Sequence, residues 1–128
     1  MTDPTNWSQM DSASSDKTSE LELTDFDADQ QLLGLPGISL IAFTSQGCAA
    51  CRYARERLPR ISLPVERLVW IDAGANGGLV QRYEVFHLPT VFLVREGRFY
   101  GALQSRLDGA ELVQAIGEVL GREPQELP

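Results

Sequence analysis

The chain has 128 residues, 43% hydrophobic and 23% charged, which are the proportions and the length of one ordinary globular domain. No apolar run approaches the ~20 residues that cross a bilayer, and two cysteines are too few to staple a disulfide-rich mini-protein. The formal net charge of −7 sits wholly in residues 1–31, which carry eight acids and one base. Residues 32–128 balance ten acids against ten arginines, which argues against an extended nucleic-acid surface.

Residues 1–19 are rich in Ser, Thr and Asp, lack sustained periodicity, and are expected to form a disordered, solubilising acidic leader. Leu21-Glu22-Leu23 reads as a short edge strand, and Thr24 as the cap of a helix over 25–33, stopped by Gly34 and the Pro36-Gly37 pair. Residues 38–44 (ISLIAFT) are continuously apolar over strand length, as a strand buried on both faces requires. A helical pattern follows from Cys48 to Leu58, where Pro59 ends or kinks it.

Residues 67–72 (RLVWID) form a second buried strand. A Gly-rich turn and a helix over 76–83 come next, and residues 90–94 (TVFLV) are the third buried strand. Glu96-Gly97 marks a tight turn into an antiparallel partner over 98–103. Asp108 caps a final helix to Leu120 with an apolar stripe of Leu112, Val113, Ile116, Val119 and Leu120, closed by Gly121. The expected order is β-α-β-α-β-α-β-β-α, a layered α/β domain with a mixed sheet of four to five strands, no internal repeat, and a tail over 122–128.

The strongest chemical signal is Cys48-Ala49-Ala50-Cys51, placed where a buried strand turns into a helix. The i, i+3 spacing sets both sulfurs on one helix face. Cys48, at the helix start, meets free backbone N–H groups and the positive end of the helix dipole, which favour a thiolate. Cys51, one turn further in, is more covered and keeps a higher pKa. Thiol–disulfide exchange needs this asymmetry: one thiol attacks, the other resolves. A C-x-x-C pair is also half of a zinc site, but zinc takes four donors. Two cysteines and the single His87 leave such a site incomplete unless two chains share it. His87 itself reads as an ordinary packed or half-exposed histidine.

Over residues 20–121 the chain resembles the thioredoxin family. Beyond C-x-x-C, the run Arg82-Tyr83-Glu84-Val85-Phe86-His87-Leu88-Pro89-Thr90, an apolar strand and Glu96-Gly97 have the spacing of that family's K-Y-x-I-x-x-I-P-T…N-G segment. The resemblance implies the thioredoxin fold, a cis-proline at Pro89 facing the cysteines, and backbone groups of Leu88 offered to a bound peptide. Two departures stand out. The family's W-C-G-P-C is here Gly47-Cys48-Ala49-Ala50-Cys51, and its buried Asp–Lys pair maps onto Ala42 and Leu68, two apolar residues. The Gly that relatives place after the last strand pair is here Ser105, which implies a more polar and narrower groove. Arg52 stands at the site of a base common in relatives and would favour thiolates. The other arginines of that helix (Arg55, Arg57, Arg60) read as a solvated face, with Tyr53 and Leu58 on its inner stripe and Trp70 in the core.

Together these imply a monomeric thiol–disulfide oxidoreductase acting on protein disulfides, with Cys48 as nucleophile and Cys51 as resolving thiol. Gly47, Leu88, Pro89 and Ser105 are its expected substrate contacts. No metal and no bound cofactor are expected. A separate reductase, flavin- and NADPH-dependent, would supply electrons, and the absence of a secretory signal in residues 1–11 points to the cytoplasm, with neither nucleic acid nor membrane as partner. A thioredoxin-fold binding module with little redox turnover is the alternative; a metal-bridged dimer is a weaker one.

Overall fold

A computed structural model describes residues 18–128, so the expected leader over 1–19 lies almost wholly outside the described residues. The element order is β1 (Ser19–Glu22), α1 (Ala28–Gly34), β2 (Ile38–Thr44), α2 (Ala49–Arg57), a 3-10 turn (Leu58–Arg60), β3 (Arg67–Asp72), α3 (Gly77–Arg82), β4 (Thr90–Arg95), β5 (Arg98–Ala102) and α4 (Gly109–Leu120). The five strands form one sheet in the order β1-β3-β2-β4-β5. β3 runs parallel to β1 and β2, whereas β4 runs antiparallel to β2 and to β5.

The three central strands are mostly apolar because each face of the sheet carries its own core, and the period-two alternation of a strand divides them. Leu40, Ala42, Leu68, Trp70, Val91 and Leu93 point to one side and pack with Ala54 of α2 and Leu112, Ile116 and Val119 of α4. Ile41, Phe43, Val69, Ile71, Phe92 and Val94 point to the other and meet Leu32 of α1, Leu79 of α3 and Tyr83. Each fully buried Leu, Ile or Val contributes about 1.5–3 kcal/mol. Phe43, Tyr83, Phe92 and Phe99 stack edge-on or tilted with centroids 5.4–5.7 Å apart.

Side chains set the element ends. Asp108 accepts from the Glu111 N–H and starts α4 as expected. Glu96 (φ 52°) and Gly97 (φ 75°) form the turn between β4 and β5, and a Cβ on Gly97 would stand 2.8 Å from the Leu33 carbonyl oxygen, so only glycine fits. The first helix is shorter than expected. Thr24 does not cap a helix over 25–33; the carbonyl of Thr24 accepts from Asp27 and Ala28 in a turn, and α1 begins at Ala28. The reason lies elsewhere in the chain. Asp25 accepts from the N–H groups of Gly78 and Leu79 and so caps α3, 53 and 54 residues away.

The tail is docked. Gln125 exchanges both backbone hydrogen bonds with Phe99 of β5, Arg122 donates to the carbonyls of Tyr100 and Ala102, and Leu127 packs against the second core.

Candidate active site

β2, the central buried strand, delivers the chain to a turn at Ser45-Gln46-Gly47, and Cys48 is the N-cap of α2. The Cys48 sulfur accepts from the Cys51 N–H at 3.1 Å. It lies 3.8 Å from the Leu88 carbonyl oxygen, across the cis Leu88–Pro89 bond, so Cys48, Cys51, Leu88 and Pro89 converge in one place. Gly47 needs no special backbone angle, and a Cβ there would meet nothing within 4 Å; the approach to Cys48 is open on that side.

The two thiols are unequal. Cys48 is partly exposed, whereas Cys51 is 1% exposed. The hydrogen bond from the Cys51 thiol lowers the pKa of Cys48 from its ordinary value; burial opposes it, and the N–H groups of Cys51 and Ala50 and the Arg52 guanidinium add to the lowering. Burial pushes Cys51 up to about 11, reinforced by its hydrogen bond to Cys48.

An open cleft of about 560 Å³ adjoins Ala50 and Pro89 and runs to Ser105. It is predominantly apolar, contrary to the more polar groove expected from Ser105, because the Ser105 hydroxyl donates to the neighbouring Arg106 carbonyl. Tyr53 and Phe86 line it. Tyr53 is 52% exposed and not on the inner stripe of α2, since Cys51, Ala54 and Leu58 at i, i+3 and i+7 take that face. Phe86 is 86% exposed. His87 is exposed, with its ring facing the Thr90 hydroxyl, which donates to the His87 carbonyl.

On the other side of the cysteines, Ala42 and Leu68 are buried diagonal neighbours on one sheet face, set by the pairings Leu40–Leu68 and Ala42–Trp70. No carboxylate stands there. Sequence reasoning missed what lies beyond them: Arg55, read as part of a solvated face, lies over the Trp70 ring at 4.6 Å and pairs with Glu22 at 3.2 Å. The i, i+4 step from Cys51 to Arg55 was the available signal. Among the described residues no group of three or more His, Cys, Asp or Glu side chains is placed to hold a metal ion.

A single mixed sheet covered by helices on both faces, with a helix N-cap cysteine facing a cis-proline, is the arrangement of a thioredoxin fold, and comparison with solved structures agrees. The human ERp44 zinc-bound form superposes with a TM-score of 0.64 at 16% identity, covering 80% of this chain. Thioredoxin from Trypanosoma brucei brucei gives 0.62 at 20% identity over 81% of this chain and 93% of its own, and Malassezia sympodialis thioredoxin gives 0.58 at 14% over 83% and 91%. This chain spans only 30% of the ERp44 chain. No family model and no curated protein matches the sequence. The chain has the thioredoxin fold.

Proposed function

We propose that this protein is a thiol–disulfide oxidoreductase acting on disulfides of protein partners. The observation that carries the reading is the asymmetry at one helix start, a partly exposed Cys48 with a lowered pKa one turn from a buried Cys51 at about 11. The Cys48 thiolate attacks a partner disulfide, forming a mixed disulfide and releasing one partner thiolate, which takes a proton. Cys51, once ionised, attacks Cys48, so the mixed disulfide breaks, the Cys48–Cys51 bond forms and the second partner thiol leaves. The partner gains two electrons and two protons, and the dithiol loses them. No bound cofactor enters this scheme; a separate reductase restores the dithiol. The partner segment lies extended along Leu88 and Pro89, with Gly47 leaving room beside the sulfur and Ser105 at the far end of the apolar cleft. A monomer in the cytoplasm suits thiols that must be kept reduced.

Titration against glutathione redox buffers, with products mapped by mass spectrometry, tests this. A Cys48–Cys51 bridge that forms and is reduced again is expected, and a dithiol that never bridges refutes the proposal. The exposed Phe86 and the apolar cleft favour one other reading, a peptide-binding module with idle thiols. Replacing both cysteines by serine separates the two, since partner binding and cellular function persist only in a module.

A further inference from the structure

Resolution of the mixed disulfide requires Cys51 to lose its proton, and the interior around it offers no base: Ala42 and Leu68 are both buried and apolar. Cys51 is almost fully buried, yet it forms part of the wall of a cleft on one side. A polar cleft of about 280 Å³ lies behind it, lined by Cys51, Thr44, Glu22 of β1, Asp72 of β3, and Arg52 and Arg55 of α2. These four charged side chains sum to zero, but they are not equivalent. Arg52 donates to the carbonyl of Gln46, another residue of the cleft wall, at 3.4 Å. Asp72 accepts from the Gly74 N–H at 3.0 Å.

Arg55 is the one that is fixed. Its guanidinium lies over the Trp70 indole, 4.6 Å from the ring centroid, and donates to both carboxylate oxygens of Glu22 at 3.2 and 3.3 Å. The indole is itself oriented, because its Nε1–H donates to Glu20 at 2.7 Å. Two glutamates of β1 and one tryptophan of β3 thus hold a cation one helical turn from the resolving thiol, where the helix start alone gives Cys51 little help.

We propose that Arg55, clamped between Glu22 and Trp70, is the positioning residue that favours ionisation of Cys51, and that the proton leaves through the polar cleft rather than to a buried carboxylate. This rests on the oxidoreductase reading above. The proton passes from the Cys51 thiol to cleft water and from there to a base of the surrounding buffer. The resulting thiolate attacks Cys48, the mixed disulfide opens, and the departing thiolate is protonated from solvent. Of the groups facing Cys51, Cys48 and the two carboxylates oppose its ionisation, while Arg52 and Arg55 favour it.

The test follows the second step alone in the full chain. Cys48 is converted to its mixed disulfide with glutathione, and glutathione release is measured by stopped flow from about pH 6 to pH 10. Arg55→Gln is expected to move the profile alkaline by about one unit and to slow release about tenfold near neutrality. Arg55→Lys, which keeps the charge, is expected to recover most of that loss. Arg98→Gln, which removes a charge at the far end of the domain, is expected to superpose on the parent. An Arg55→Gln profile that coincides with Arg98→Gln overturns the inference and leaves the oxidoreductase reading standing. An Arg55→Lys profile no better than Arg55→Gln overturns it too, because packing rather than charge is then at work. A parent protein that never releases glutathione by bridging refutes the oxidoreductase reading, and the inference falls with it.

Discussion

Placing a carboxylate back in the core separates the electrostatic from the packing contribution at Ala42. In Ala42→Asp the new side chain enters a position 3% exposed, beside Leu68 at 1% and Trp70 at 2%, where the cation over that face, Arg55, is already paired with Glu22. Burial of an unpaired carboxyl raises its pKa by about 3–5 units, and each unit corresponds to about 1.4 kcal/mol. The sign follows from linkage: below about pH 4 the group is neutral in both folded and unfolded chains, and the ionisation cost is nil. The cost grows as the pH climbs toward the raised folded value and reaches about 4–7 kcal/mol beyond it. Overpacking adds about 1–3 kcal/mol at every pH. Against a domain stability of about 5–15 kcal/mol, the variant is expected to fold in mild acid and to be largely unfolded in mild base. Adding Leu68→Lys supplies the partner and is expected to recover more than about 2 kcal/mol of the loss. Urea unfolding followed by circular dichroism, in reductant on both sides of neutrality, reads all three proteins. A destabilisation equal at both pH values refutes the charge argument, and an unperturbed Ala42→Asp refutes the burial itself.

Further outcomes follow from the same geometry. Cys51, raised to about 11 from an ordinary 9.0, contributes stability to the reduced fold that is fully present below about pH 9 and lost as the pH rises through 11. Cys51→Ser is expected to flatten this alkaline slope in a Tyr83→Phe background, since Tyr83, raised to about 12 by burial, adds a similar slope at higher pH. Tyr83→Phe alone removes a buried hydroxyl that has no hydrogen-bond partner among the described residues, and is expected to stabilise by up to about 1 kcal/mol; a loss of that size in thermal unfolding contradicts it. Asp25→Ala uncaps α3 from a distance and is expected to cost about 0.5–2 kcal/mol, read as faster amide exchange at Gly78 and Leu79. Limited alkylation near neutral pH is expected to label Cys48 and spare Cys51, the buried thiol; equal labelling contradicts the asymmetry.

The parts of the fold that follow from local pattern were legible. Residues 38–44 and 67–72 span the strands found, because a strand covered on both faces is mostly apolar between its ends. The cysteine pair and its helix start were equally plain, since the chemistry lies in four adjacent residues. Features that depend on distant partners were not. Nothing near Asp25 reveals that its carboxylate caps a helix beginning more than fifty residues later. Arg55 looks like any surface arginine until β1 pairs with β3 and brings Glu22 and Trp70 to it. Ser105 misled because a hydroxyl suggests a polar wall, and only the backbone shows that it is turned onto Arg106.

The docked tail has a bearing on how this molecule behaves in company. β5 ends the sheet, and an uncovered terminal strand is a template onto which another chain can zip. Gln125 and the Arg122 guanidinium answer several of its backbone groups from within the same polypeptide, so that flank is closed to intruders. A version cut back to Gly121 would lose this shutter and invite self-association through β5, a route to aggregation that neither cysteine has any part in.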